Sequence, residues 1–116
     1  MIGQYSDIKN FSDTFAARFV GGLNGDLRVE LADKLLTKDV ISVFKDEELK
    51  SSIDAFFNND LNISETSRNS YMHRNTLLYR LDKIHKLTGL NIRKFDDALQ
   101  LQLLELLYES TKNLRQ

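Results

Sequence analysis

The sequence predicts an all-α fold, and three observations predict it. The 116 residues include no proline and only five glycines, so few positions remove a helical hydrogen bond or carry the entropy of a free backbone. Apolar residues recur at steps of three and four through most of the chain, which is the helical period. Short polar side chains stand just ahead of several of these stretches, where an N-cap belongs. With 41% apolar and 28% charged residues the composition is that of a soluble globular protein, and the length suits one domain with a single core.

The first stretch, residues 6–20, places Ile8, Phe11, Phe15 and Phe19 at helical intervals, with Ser6 or Asp7 as cap. GGLNG at 21–25 interrupts it. Such glycines can cradle a phosphate, but no Lys-Ser/Thr follows them, so a connector is the expected role. Leu27, Leu31 and Leu35 form one stripe of a second helix from Asp26 to about Leu36. VISVF, 40–44, is short and β-branched. Its pattern does not separate strand from helix, and a loop or short helical turn is expected.

DEELKSSIDAFFNN, 46–59, gives a clearer helix. Its acids fill the first turn, where they complement the macrodipole, and Leu49, Ile53, Phe56 and Phe57 share a face. Asn62 and Glu65 then make a capping-box pair that opens a short helix reaching about Ser70. After the turn at Tyr71-Met72 a longer helix begins at His73 and runs to about Leu87. Thr88-Gly89 ends it, with Gly89 suited to the left-handed cap. Two helices of about eight and fourteen residues joined by about three have the dimensions of a helix-turn-helix. The fold class is therefore a small all-α domain with a helix-turn-helix and a leucine-rich C-terminal helix.

That last helix starts near Asp96 or Asp97 and reaches at least Tyr108. Its apolar residues spread over more than half the circumference, wider than one packing face requires. A fully internal last helix would account for this; the expectation taken here is a second copy of the chain, covering Leu101, Leu103, Leu104, Leu107 and Tyr108.

Charge is distributed unevenly. The net charge is −1, yet between Leu61 and Phe95 seven basic residues face two acids, giving +5 there and −6 elsewhere. A basic segment inside an acidic chain is a local electrostatic footprint for a polyanion. On the helix within it, Leu77, Leu81, Ile84 and Thr88 form one stripe. Asn75, Tyr79, Lys83 and Lys86 lie roughly 160–240° away, with Thr76 and Arg80 flanking them. A solvated face would carry such lysines too. What favours a recognition helix is the crowd of hydrogen-bonding groups in its first turn, the end that such helices point at base edges. Asn pairs bidentately with adenine and Arg with guanine, while Thr and Tyr hold phosphate oxygens. Free N–H groups at the helix start also suit a phosphate.

Residues 46 to about 110, above all HRNTLLYRLDKIHKLTGLNIRKFDDALQLQLLELL, resemble the C-terminal DNA-binding domain of PucR/CdaR-like bacterial transcription regulators, with a Fis-type helix-turn-helix. The resemblance implies sequence-specific operator binding, dimeric action and control of catabolic genes, often for purines or sugar acids. It assigns His73, Arg74, Asn75, Thr76, Tyr79 and Arg80 to the DNA-facing motif, and Leu77 and Leu81 to its core. Two departures stand out. Ser67 and Ser70 occupy positions where the family tends to have Ala and an aliphatic residue, and Tyr71 and Met72 are the residues available to compensate. Family members also usually carry a sensor region ahead of this domain, whereas residues 1–45 here form a helical segment of unknown role.

Other chemistry finds little support. His73 and His85 lie twelve residues apart on one helix, too far to share a metal, and no thiol is present. Asp46, Glu47 and Glu48 are explained as a first-turn cluster, and no hydrolase, metalloprotease or phosphate-loop motif occurs. The expectation is a cytoplasmic homodimer that binds double-stranded operator DNA through His73, Arg74, Asn75, Thr76, Tyr79, Arg80, Lys83 and Lys86. It is not an enzyme, and no cofactor, metal or membrane partner is expected. The competing reading is a helical interaction and dimerisation module that binds no DNA.

Overall fold

The computed structural model describes residues 14–112. Among them are seven helices and no strand: α1 Phe15–Gly21, α2 Gly25–Leu35, α3 Lys38–Lys45, α4 Glu47–Asn58, α5 Ile63–Asn69, α6 Arg74–Thr88 and α7 Phe95–Thr111. The all-α class expected from the sequence is the observed one. The part of the first predicted helix that holds Ile8 and Phe11, with Ser6 or Asp7 as cap, lies outside the described residues. Within them Thr14 caps α1, its hydroxyl accepting from the Ala17 N–H at 3.0 Å.

Side-chain caps fix most helix starts. Asn24 accepts from the Asp26 N–H at 2.8 Å, Asp46 from Leu49 at 3.1 Å and Asn62 from Glu65 at 2.8 Å. The capping box expected at Asn62 is half formed, because the Glu65 carboxylate pairs with Arg68 instead. Gly89 ends α6 at φ +80°, a conformation that disfavours side chains.

The VISVF stretch differs from expectation. It lies within α3, an eight-residue helix whose start is set by Thr37 accepting from the Val40 N–H at 3.1 Å. Val40, Val43 and Phe44 are buried at i, i+3 and i+4. Burying three such side chains outweighs the few tenths of a kcal/mol that β-branching costs a helix, ~2 kcal/mol per side chain against ~0.5.

Instead of one core, the described residues form two compact units, 14–36 with 102–112 and 37–101. Helix α7 begins in the second and continues into the first. In the second unit α6 packs against α3, α4 and α5, and α4 against α3 and α5. Val43, Ile53, Phe56, Leu77 and Ile84 are fully enclosed there. The sequence boundary drawn between residues 45 and 46 falls between α3 and α4, and both helices belong to this unit. In the first unit Val20, Leu106 and Leu107 form a cluster, with Ala16, Ala17, Leu31 and Leu103 packed on it.

Leu101, Leu104 and Leu107 are buried within the chain itself, and Leu103 and Tyr108 are half-buried. The wide apolar circumference that suggested a second copy is covered largely by the chain's own residues. No helix among the described residues is long and apolar enough to cross a membrane.

Candidate nucleic-acid interface

Helix α6 presents two unlike sides. Leu77, Leu81 and Ile84 point into the second unit's core and are almost fully buried. Thr88, the last member of the predicted stripe, is half-buried; its hydroxyl donates to the Ile84 carbonyl at 2.7 Å and accepts from the Leu90 N–H at 3.1 Å. Asn75, Thr76, Tyr79, Lys83 and Lys86 are all exposed. The side chains of Asn75, Thr76, Tyr79 and Lys83 make no hydrogen bond or ion pair with any described residue, so their donors and acceptors are available to a ligand.

The N-terminal tip is held from both sides. His73 is the N-cap, its Nδ1 accepting from the Asn75 N–H at 3.0 Å, which leaves Nε2 to donate outward. Arg74 donates from Nη1 to the Ser64 hydroxyl at 3.3 Å, an exposed bond linking the starts of α5 and α6. A contact so long and solvated costs little to exchange for a better acceptor.

Arg80 stands apart from the rest of the predicted set. Its guanidinium turns toward α4, where Nη1 donates to the Ser52 hydroxyl at 3.1 Å and Nη2 lies 3.4 Å from Glu48 Oε2. Ser52 is buried and donates in turn to the Glu48 carbonyl at 2.8 Å. Met72 Sδ sits 3.9 Å from the same guanidinium nitrogen. The side chain is only 20% exposed, so Arg80 braces α6 and the preceding turn against α4. Sequence position alone placed it beside Thr76 as an outward group.

Ion pairing removes part of the basic excess. Arg68 pairs with Glu65, Lys86 with Asp82 at 3.0 Å and Arg80 with Glu48. Arg74, Lys83, Arg93 and Lys94 have no ion pair among the described residues. A shallow cleft of about 260 Å³ between α6 and the following loop is lined by Leu78, Leu81, Asp82, His85, Asn91 and Arg93. No group of His, Cys, Asp or Glu among the described residues is arranged to hold a metal.

A short helix, a four-residue turn (70–73) and a longer helix with its buried stripe inward and its polar tip outward is the arrangement of a DNA-reading helix pair. Residues 49–106, half of the chain, match the family model of the PucR C-terminal helix-turn-helix domain. The chain belongs to the PucR helix-turn-helix family. That family is a DNA-binding domain of bacterial transcription regulators, which is not an enzyme class.

Among similar proteins is the carbohydrate diacid regulator of Escherichia coli, 43% identical over 53 residues, which is 46% of this chain and 14% of the relative. The purine catabolism regulatory protein of Bacillus subtilis is 32% identical over 59 residues, 51% of this chain and 11% of the relative. The Bacillus subtilis protein YxkF is 34% identical over 71 residues, 60% of this chain and 24% of the relative. The matched stretch thus spans a quarter or less of each of these relatives. No solved structure matches the chain closely.

Within the PucR fold the two serines have separate fates. Ser70 donates its hydroxyl to the Thr66 carbonyl, whereas the buried Ser67 hydroxyl has no hydrogen-bond partner. Of the two residues available to compensate, Met72 is half-buried beside Arg80 and Ser52, and Tyr71 points fully into solvent.

Proposed function

We propose that the chain is a sequence-specific DNA-binding transcriptional regulator, or the DNA-binding part of one, and that α6 lies in the major groove. The observation that carries this reading is the exposed first half of α6, where Asn75, Thr76 and Tyr79 keep their hydrogen-bonding groups unused above a rigid, buried stripe. Asn75 suits adenine, and Arg74, released from Ser64, suits guanine. His73, Thr76, Tyr79, Lys83 and Lys86 serve the phosphates. Arg80 fixes the helix that carries these groups. Residues 46–116 are the DNA-binding domain, with α3 completing its core. The name of one relative, the purine catabolism regulatory protein, favours control of catabolic genes.

The reading extends to a homodimer on two half-sites ~34 Å apart, since operator symmetry mirrors protein symmetry in such proteins. Of the five residues expected at the interface, Leu103 and Tyr108 keep the most surface for a second copy. A second reading, a helical interaction module without DNA binding, draws support from the exposed rings of Phe15 and Phe19, whose centroids lie 6.2 Å apart.

The test is binding to random-sequence and promoter duplexes at two salt concentrations. Arg74→Ala and Asn75→Ala are each expected to weaken the preferred duplex by ~1–3 kcal/mol and to relax preference at one position. Lys86→Ala should weaken every duplex alike and flatten the salt slope by about one unit. Sedimentation of the complex on a two-half-site duplex counts the copies bound. Undiminished binding by all three variants would remove α6 from the groove, and the absence of any duplex binding would leave the interaction module.

A further inference from the structure

Three described residues other than glycine have a positive φ: Asp60 at 55°, Leu61 at 61° and Tyr71 at 54°. A side chain in this region crowds its own carbonyl, so such a residue needs compensation from elsewhere. Asp60 is of the short polar type that tolerates it. Leu61 is half-buried, and its N–H closes the end of α4 by donating to the Phe56 carbonyl at 3.0 Å.

Tyr71 differs. The turn needs its backbone, because the next N–H, that of Met72, reaches back to the Ser67 carbonyl at 3.0 Å and closes α5. Glycine or asparagine would meet that need with less strain. The phenol itself is 97% exposed and has no hydrogen bond or ring contact with any described residue. A strained, bulky aromatic side chain therefore does nothing for the fold. It stands two residues ahead of the His73 cap, its Cα within ~7 Å of the tip of α6.

We infer that Tyr71 is a further DNA contact, its hydroxyl donating to a phosphate oxygen at the edge of the groove that α6 enters. The inference rests on the proposed function. A neutral donor to phosphate positions the protein without reading sequence, and it displaces no counterion. Loss of Tyr71 therefore has a signature unlike loss of a base-reading residue or of a lysine.

The experiment compares the whole chain with Tyr71→Gly, Tyr71→Phe and Asn75→Ala, using duplexes selected by the wild type from a random pool. Tyr71→Gly is expected to unfold at a temperature no lower than wild type while binding every duplex roughly three- to tenfold more weakly, with an unchanged salt slope. Tyr71→Phe, which keeps the ring and the strain, should lose the same factor. Wild-type affinity in Tyr71→Gly, with Asn75→Ala weakened, would overturn the Tyr71 contact and leave the DNA reading intact. Weakening by Gly but not by Phe would overturn the hydroxyl–phosphate bond in favour of an apolar contact. Absence of wild-type binding to any duplex would overturn both this inference and the function it rests on.

Discussion

Arg80 and its neighbours show how a single side chain changes role once its partners are known. On the helix circumference it flanks the DNA-facing side, and its type suits guanine or phosphate equally well. In the folded chain its guanidinium is spent on Ser52 and Glu48 of α4. Glu48 is 78% exposed, so that ion pair contributes little, and the bond to buried Ser52 is the stronger tie. Arg80→Ala is therefore expected to lower stability by ~1–2 kcal/mol, seen as a lower urea midpoint with the slope unchanged. Any loss of DNA affinity should be uniform over sequences, because the variant loosens α6 without removing a base contact. A preference lost at one base position would return Arg80 to the groove.

Each helix boundary reflects a local contest that the sequence shows only in part. Asn62 and Gly89 could be read in advance because a cap acts over two or three residues, within the reach of a pattern. Helix α3 could not, because a short β-branched run fits a strand or a helix equally well until Thr37 caps it and α4 and α6 cover it. The pairing of α5 with α6 holds a testable flaw. The Ser67 hydroxyl, on α5, is buried without a hydrogen-bond partner. Ser67→Ala should stabilise the chain by ~1 kcal/mol, since it removes an unsatisfied donor and improves helix propensity. A midpoint that falls in urea titration would show that the hydroxyl finds a partner in solution.

The molecule as a whole is built of two cores rather than one. Val20, Leu106 and Leu107 hold the first unit, and residues of α3, α4 and α6 the second. Leu107→Ala should cost the first unit ~2–5 kcal/mol through the cavity it leaves. Amide hydrogen exchange resolves where that loss falls. Protection is expected to drop in α1, α2 and the end of α7 and to persist in α4 and α6. Equal loss throughout would mean that the two units unfold as one. The apolar breadth of α7 was legible in its leucines, but its cause was not. A single helix pattern cannot say whether a second copy or the chain's own α1 and α2 will cover it.

From the sequence alone came the helical class, most of the helix starts, the buried stripe of Leu77, Leu81 and Ile84, and the polar tip of α6. These follow from bonds and spacings within a few residues, where propensity, capping and period act. Tertiary structure decided that Arg80 turns inward, that Tyr71 stands free in a strained turn, that Ser67 is left unsatisfied, and that α7 is enclosed mainly by its own chain. Each depends on what another element places opposite, such as Ser52 lying 28 residues from Arg80, and a one-dimensional pattern holds no record of that distance.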